Sequence, residues 1–326
     1  MRTLRFHTEI FPIAGEFAIS RGAKTEARTV VVSIRQGASK GQGECVPYAR
    51  YGETIESVSQ TIGELQGEIE AGLTREALQV RLPAGAARNA LDCALWDLEA
   101  KKKETPVWFL AGLREPKPAV TAFTISLASP NAMAEAAAKE KARPLLKVKL
   151  GRAHALECAK AVRKAAPDAT LIVDANEAWD MAMLAALAPE LSALGVALIE
   201  QPLPAGEDRA LEDYVSPVPL CADESVHDTR SLDALPKGYA AINIKLDKTG
   251  GLTEALKLAE AARARNLDIM VGCMVASSLA MAPAFLLARG ARFVDLDGPL
   301  MLAIDRKPAI RYEDSLMYPP PPMLWG

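Results

Sequence analysis

Leu145-Leu-Lys-Val-Lys-Leu150, bounded by Pro144 and Gly151, is a short aliphatic run that carries two lysines at i and i+2. In a strand, residues two apart share a face, so Lys147 and Lys149 project together while Val148 points away. The aliphatic content reads as a strand buried on both faces. Two ammonium groups leaning into an interior are costly unless carboxylates or a ligand answer them. Later apolar runs supply carboxylates, each at its own end.

Those runs set the architecture. From Ala119 onward, candidate strands alternate with helices, at Val120–Ser126, Leu145–Leu150, Thr170–Asn176, Val196–Gln201, Pro219–Ser225, Ala240–Leu246, Asp268–Met274 and Arg292–Asp297. Between them lie Ala/Leu/Glu/Lys-rich segments such as Asn131–Arg143, Ala155–Ala166 and Thr253–Asn266. A spacing of about 25 residues per step suits the strand-plus-helix unit of an eight-stranded α/β barrel. A doubly wound open sheet would place a glycine-rich phosphate turn after its first strand, and none is present.

Ahead of the barrel, residues 1–115 read as an α+β domain. Thr29–Arg35 is rich in β-branched residues, Ile10–Ala14 is an earlier apolar run, and Gly37, Gly41 and Gly43 are expected to mark turns. A helix from about Ala84 to Lys103 puts Ala87, Leu91, Ala94, Leu95 and Leu98 on one stripe, with three lysines in its last turn, where cations suit the helix dipole. The barrel is expected over 116–307. Residues 308–326 read as a strand, Ala309-Ile-Arg-Tyr, returning to the first domain, followed by an extended Pro319–Pro322 tail.

Composition excludes several function classes. A formal net charge of −3 leaves no basic footprint for nucleic acid or an anionic membrane. The longest apolar stretches, such as Ile269–Ala284, are too broken and too short to span a bilayer. The N-terminal Met1-Arg-Thr-Leu-Arg-Phe-His lacks an apolar signal core, and five dispersed cysteines form no Cys-x-x-Cys; both suit a cytoplasmic protein with reduced thiols. Three scattered histidines do not suggest a histidine metal site.

Working groups in such barrels sit at the C-terminal ends of the strands. Asp174, Glu200 and Asp223 end three adjacent strands, so their carboxylates converge on one rim. Three hard oxygen anions so placed need a cation, and Mg²⁺ is the expected one. Lys149 and Lys245 end the second and sixth strands, which lie diametrically opposite in a barrel of eight. Burial and neighbouring cations lower a lysine's pKa, which lets it act as a base. Two bases on either side of one metal-bound substrate can remove a proton from one face and return it to the other, which is a racemisation or epimerisation.

Lys-Val-Lys, Val-Asp-Ala-Asn, Glu-Gln-Pro, Ala-Asp-Glu-Ser and Asn-Ile-Lys-Leu-Asp-Lys-Thr-Gly-Gly together resemble the enolase superfamily, in its muconate-lactonising subgroup. The resemblance spans essentially the whole chain. It implies an N-terminal capping domain, a (β/α)7β TIM-like barrel and a C-terminal return, with Mg²⁺ on Asp174, Glu200 and Asp223 and with Lys149 and Lys245 as the acid/base pair. It also implies that Lys147 holds the substrate carboxylate and lowers the pKa of Lys149. In this superfamily a Lys or His base works with Mg²⁺ to stabilise an ene-diolate.

Within the superfamily, Asp295-Leu-Asp297 resembles the Asp-x-Asp of the dipeptide epimerases, whose acid pair binds a free α-ammonium. The physics agrees, because two anions on one strand face ask for a cation. Similarity to the L-Ala-D/L-Glu epimerases of murein-peptide recycling further implies that Arg21, in a mobile capping loop, clamps a γ-carboxylate. It implies that Thr124 hydrogen-bonds the substrate and that the Cys273 carbonyl helps seat the ammonium. The expected partner is a small dipeptide, with neither nucleic acid nor membrane, and a homo-oligomer is left open. The nearest alternatives are N-acylamino-acid racemase, o-succinylbenzoate synthase and muconate cycloisomerase, which share the lysines and metal ligands but do not need the paired aspartates. A non-enzymatic ligand-binding barrel has no use for bases on opposite faces.

Overall fold

Three antiparallel strands open the chain: β1 (Arg2–Ile19), β2 (Gly22–Gln36) and β3 (Ser39–Cys45). The computed structural model describes residues 1–326. Val30, Val32 and Ile34 alternate along β2 onto one face, where they meet Leu91, Ala94, Leu95 and Leu98 of the helix Ala86–Lys103. Each large aliphatic side chain so buried contributes roughly 1.5–3 kcal/mol. The helix approaches β3 closely because two positions there lack a side chain. A Cβ at Gly41 would lie 2.1 Å from the Ala94 carbonyl oxygen, and one at Gly43 would lie 2.2 Å from that of Ala90. Of the three glycines expected at turns, only Gly37, with φ +62°, is at one.

The helix is buried on its other side as well. Cys93, Trp96 and Ala100 belong to the barrel's core, so the expected stripe accounts for half of the contact and the helix lies between two cores. The expected loop around Arg21 is instead the tip of a long hairpin, paired down to Ile19↔Gly22. Only Leu4 and Ile13 of β1 are buried, so alternation of apolar residues could not reveal the strand's length.

The eight expected barrel strands all form, each somewhat shorter than its apolar run. They are β5 (Phe123–Ile125), β6 (Leu145–Lys149), β7 (Thr170–Asp174), β8 (Val196–Glu200), β9 (Leu220–Ala222), β10 (Tyr239–Ile244), β11 (Asp268–Gly272) and β12 (Phe293–Asp295), parallel and in chain order around the sheet. The chain is thus an α/β protein, an N-terminal capping sheet with helices on a nearly closed parallel barrel. Ala122 N–H donates to the Val294 carbonyl at 2.8 Å across the seam between first and last strands.

The expected first strand is split. Its opening residues, β4 (Ala119–Val120), pair instead with a C-terminal hairpin, β13 (Tyr312–Glu313) and β14 (Leu316–Met317). Thr121 marks the break: its hydroxyl accepts from Leu296 N–H and its own N–H donates to the Ser315 carbonyl. The C-terminal strand therefore joins β4 rather than the capping sheet. The very end does reach the capping helix, where Trp325 Nε1 donates to the Cys93 carbonyl at 3.0 Å and Gly326 N–H to Asp97 at 2.8 Å. No helix is long and apolar enough to cross a membrane.

Candidate active site

A period of two builds the barrel interior in layers. Ala122, Leu145, Ile172, Leu198, Cys221, Ala241 and Met270, with Phe293 against them, form an apolar floor. Two residues further along each strand, on the same face, stand Thr124, Lys147, Asp174, Glu200, Asp223, Asn243, Gly272 and Asp295. One more step of two gives Lys149, Asn176, Lys245 and Asp297, among others. Above these layers lies a cavity of about 830 Å³ between the barrel mouth and the capping hairpin, with Arg21, Thr124, Lys147, Lys149, Asp223, Lys245, Cys273, Asp295 and Asp297 on its walls.

The lysines and acids are interleaved. Lys149 Nζ lies 2.6 Å from Asp174 Oδ2, and Lys245 Nζ lies 2.6 Å from Asp223 Oδ2. Asp174 and Glu200 are register partners on neighbouring strands, and Asp223 follows on the next. Each lysine is thus anchored to a different flank of the carboxylate rim. Lys147 Nζ sits among the acids, 2.6 Å from Glu200 Oε2, 2.7 Å from Asp295 Oδ2 and 3.1 Å from Asp174 Oδ2.

These contacts set the protonation states. Burial opposes the charge on Lys147 and on Lys245, but the surrounding carboxylates, led by Asp295 for the first and Asp223 for the second, outweigh it and hold both ammoniums above their ordinary range. The expected depression of a lysine's pKa is therefore reversed at Lys245, because a carboxylate touches the ammonium directly. Burial likewise opposes ionisation of Asp174 and Asp223, and the neighbouring lysines outweigh it and keep both below the usual carboxylate range. Glu200 goes the other way, raised by burial and by Asp174.

Several groups hold the acids in place. Asn243 Nδ2 donates to Glu200 Oε1 at 2.6 Å, and Asn176 donates to Asp174 from its backbone N–H at 2.9 Å. Gln201 accepts the Asp223 N–H at 2.8 Å. Lys248, fully buried, lies 2.6 Å from Asp223 Oδ1 and also donates to the Asp223 carbonyl. Asn243 and Lys248 are absent from the sequence-based assignment. The i, i+2 spacing of Asn243 and Lys245 is a signal for the first; Lys248 lies past the strand and carries none. Gly272 completes the arrangement by omission, since a Cβ there would lie 2.5 Å from Asn243 Oδ1.

Two expected positions also contact protein groups. Arg21 is held by protein groups: its Nη2 lies 2.7 Å from Glu224 Oε1 and 3.1 Å from Tyr48 Oη, and its Nη1 lies 2.9 Å from Glu177 Oε2. Thr124 donates its backbone N–H to Asp297 Oδ2 at 2.7 Å. Asp297 is raised to about 7 by burial and by neighbouring Asp295. Asp295 Oδ1 has no hydrogen-bond partner. Asp247, two residues past Lys245, is not on the cavity wall and accepts from Val46 N–H and Asn89 of the capping domain.

As the side chains stand, no three His, Cys, Asp or Glu residues converge on a common point, because Lys147 stands between Asp174 and Glu200. The donor set nonetheless fits a divalent cation. Glu200 Oε2 and Asp223 Oδ1 each have an ammonium 2.6 Å away, yet neither makes a well-oriented hydrogen bond. A hard metal ion asks for oxygen charge with less directional demand. The carboxylates also disfavour one another's ionisation, since Glu200 is raised by burial and by Asp174 and Asp297 by burial and by Asp295, and a cation on the rim would relieve that repulsion.

Residues 131–320 match the family model described as enolase C-terminal domain-like, and residues 1–112 match the mandelate racemase / muconate lactonizing enzyme N-terminal domain. The chain is 49% identical to an L-Ala-D/L-Glu epimerase of Escherichia coli strain K12, over 96% of this chain and 98% of that one. It is 48% identical to an N-acetyl-D-glutamate racemase of a Pseudoalteromonas species, over 91% and 95%. Among solved structures, an enolase family member from Agrobacterium tumefaciens with homology to dipeptide epimerases, bound to sodium and L-Ala-L-Glu with an ordered loop, superimposes with a TM-score of 0.98. It is 52% identical and all of both chains is covered.

Proposed function

We propose that this chain, which belongs to the mandelate racemase / muconate lactonizing enzyme family of the enolase superfamily, is an isomerase that epimerises dipeptides of the L-Ala-D/L-Glu type at the C-terminal residue. The observation that carries the reading is the placement of Lys149 and Lys245. They come from the second and sixth of eight strands, opposite each other, and each contacts a carboxylate on one flank of Glu200. Recycling of murein peptides is the setting that such a substrate implies.

The residues divide the work. Asp174, Glu200 and Asp223 would hold Mg²⁺ in place of the charge that Lys147 now supplies. When bound, the ion polarises the substrate's α-carboxylate and acidifies the adjacent Cα–H. Lys147 pairs with that carboxylate. One of Lys149 and Lys245 takes the α-proton at a neutral Nζ, and the other, charged, delivers a proton to the opposite face of Cα. For Lys245, a neutral Nζ would require that a cation on the rim take over the Asp223 charge that now holds its ammonium. Asp295 and Asp297 receive the dipeptide's free ammonium, joined by the Cys273 carbonyl, while Thr124 fixes Asp297. The capping hairpin covers the cavity and excludes water.

One second reading has a specific basis, the relative that racemises N-acetyl-D-glutamate. It shares an acidic side chain and an acylated nitrogen with the dipeptide and differs in lacking the free ammonium. Asp295 and Asp297 favour the dipeptide, since an acetyl group would leave Asp297 and the unpartnered Asp295 Oδ1 without a cation in a buried site. The test is direct competition with Mg²⁺ present. L-Ala-L-Glu is expected to epimerise with the higher kcat/KM. A higher value for N-acetylglutamate would overturn the dipeptide assignment and keep only the proton transfer.

A further inference from the structure

We infer that Gln201 is a positioning residue that sets the spacing of Glu200 and Asp223, and that the buried Asp208 secures it through Ser225 and Tyr239; this rests on the metal role proposed for those acids. Gln201 is fully buried and follows Glu200 directly in the chain. Its contacts reach the ends of all three acid-bearing strands. Its carbonyl accepts the Glu177 N–H at 2.9 Å, three residues past Asp174, and its own N–H donates to the Cys221 carbonyl on β9 at 2.8 Å. Its side-chain Oε1 accepts two N–H groups just past β9, Asp223 at 2.8 Å and Ser225 at 3.1 Å. A φ of +35°, uncommon for a residue with a side chain, turns the backbone out of the strand here.

The other end of the amide is held from behind. Nε2 donates to the Leu203 carbonyl at 2.8 Å, to Ser225 Oγ at 2.7 Å and to Tyr239 Oη at 3.1 Å. The carbonyl can only accept, whereas a hydroxyl can donate or accept. Asp208 settles the two hydroxyls. Ser225 donates to its Oδ2 at 2.5 Å and Tyr239 donates to the same atom at 2.9 Å. Each hydroxyl has one proton, now committed, so each turns a lone pair toward Gln201 and calls for its NH₂ side. Oε1 is left facing the two N–H groups. Asp208 is buried and is not on the cavity wall, yet it holds Asp223 through two intervening groups.

Mg²⁺ demands a close, near-octahedral set of oxygens, whereas Ca²⁺ accepts a looser shell. A fixed spacing of Glu200 and Asp223 therefore favours Mg²⁺, and loosening it should cost Mg²⁺ more than Ca²⁺. The experiment titrates the metal-free protein, without substrate, with each ion by calorimetry. Gln201→Met is expected to weaken Mg²⁺ binding roughly tenfold and Ca²⁺ binding less than about threefold. Asp208→Asn, whose amide offers protons to the two hydroxyls, and Tyr239→Phe should lower the Mg²⁺ preference by roughly two- to fivefold, with every rim residue unchanged. A merely structural role would lower Tm and leave the preference of the folded protein as it is. A wild-type preference in Gln201→Met would overturn the positioning role alone; should that variant not fold, a wild-type preference in both Asp208→Asn and Tyr239→Phe would do so. A changed preference in Gln201→Met with none in Asp208→Asn would remove Asp208 from the network. Failure of the wild type to bind Mg²⁺ would overturn the inference together with the metal role it rests on.

Discussion

Lys147 Nζ lies 2.7 Å from Asp295 Oδ2, and this contact ties the carboxylate rim of strands β7 to β9 to the aspartate pair at the end of β12. The same ammonium lies within 3.1 Å of Asp174 and Glu200. One buried cation thus serves both ends of the proposed substrate site, where a metal and an α-ammonium would otherwise supply the charge.

Lys147→Met should therefore destabilise the metal-free protein strongly, because it leaves buried carboxylates without their cation. A loss of about 3–5 kcal/mol is expected for breaking such a pair. Added Mg²⁺ should recover part of it, and the Mg²⁺-induced rise in Tm should be larger than in the wild type. Equal Tm values for the two proteins without metal would show that the acids are not electrostatically dependent on Lys147.

Exhaustive chelation should abolish epimerisation, and Mg²⁺ should restore it. Asp223→Asn should weaken the metal requirement's midpoint, read as a higher Mg²⁺ concentration for half-maximal activity. Full turnover at verified zero metal content would remove Asp174, Glu200 and Asp223 from the role proposed for them.

Gly272→Ala tests the packing behind Glu200. The added methyl would meet the Asn243 amide and push it from Glu200, which would lose its 2.6 Å donor. Leaving a buried acceptor unsatisfied costs about 1–3 kcal/mol. Urea denaturation should show a loss of that size, and Mg²⁺ affinity should change with it. Wild-type stability in the variant would mean that the strand shifts to admit a side chain.

Asp297 gives a pH signature. Burial and Asp295 raise its carboxyl to about 7 in the folded protein. Between about pH 4 and about pH 7 the folded chain then keeps a proton that the unfolded chain has lost. The stability this group contributes is full below that window, falls as pH rises through it and levels off above it. Asp297→Asn should remove this slope from the difference between variant and wild type in urea titrations. A pH-independent difference would place Asp297 in an environment other than the one described.

Much of the barrel was legible in the sequence, because every strand but β11 is a short apolar run with a charged or hydroxyl residue at or just past its C-terminal end. Asp174, Glu200 and Asp223 fall at the same depth, two residues past an apolar floor, and period-two alternation registers that depth directly. Asn243 and Gly272 obey the same spacing, but neither residue titrates, and a search for charged groups passes over them. The Arg21–Glu224 contact joins positions 203 residues apart through the hairpin, and no local pattern encodes it. The hairpin itself was hidden because β1 buries so few of its residues. The C-terminal strand went to β4 because Thr121 and Ser315 hold it there, a pairing set by tertiary contact rather than by propensity.

The central claim is that Lys149 and Lys245 serve opposite faces of one α-carbon. Its most direct test is exchange of the substrate α-proton with D₂O, followed separately for L-Ala-L-Glu and L-Ala-D-Glu in Lys149→Ala and Lys245→Ala. Neither variant should epimerise in either direction. Each should still exchange the α-proton of one epimer, through its remaining lysine, and the epimer retained should differ between the two variants. Retention of the same epimer by both variants would contradict the two-face arrangement, whatever the loss in overall rate.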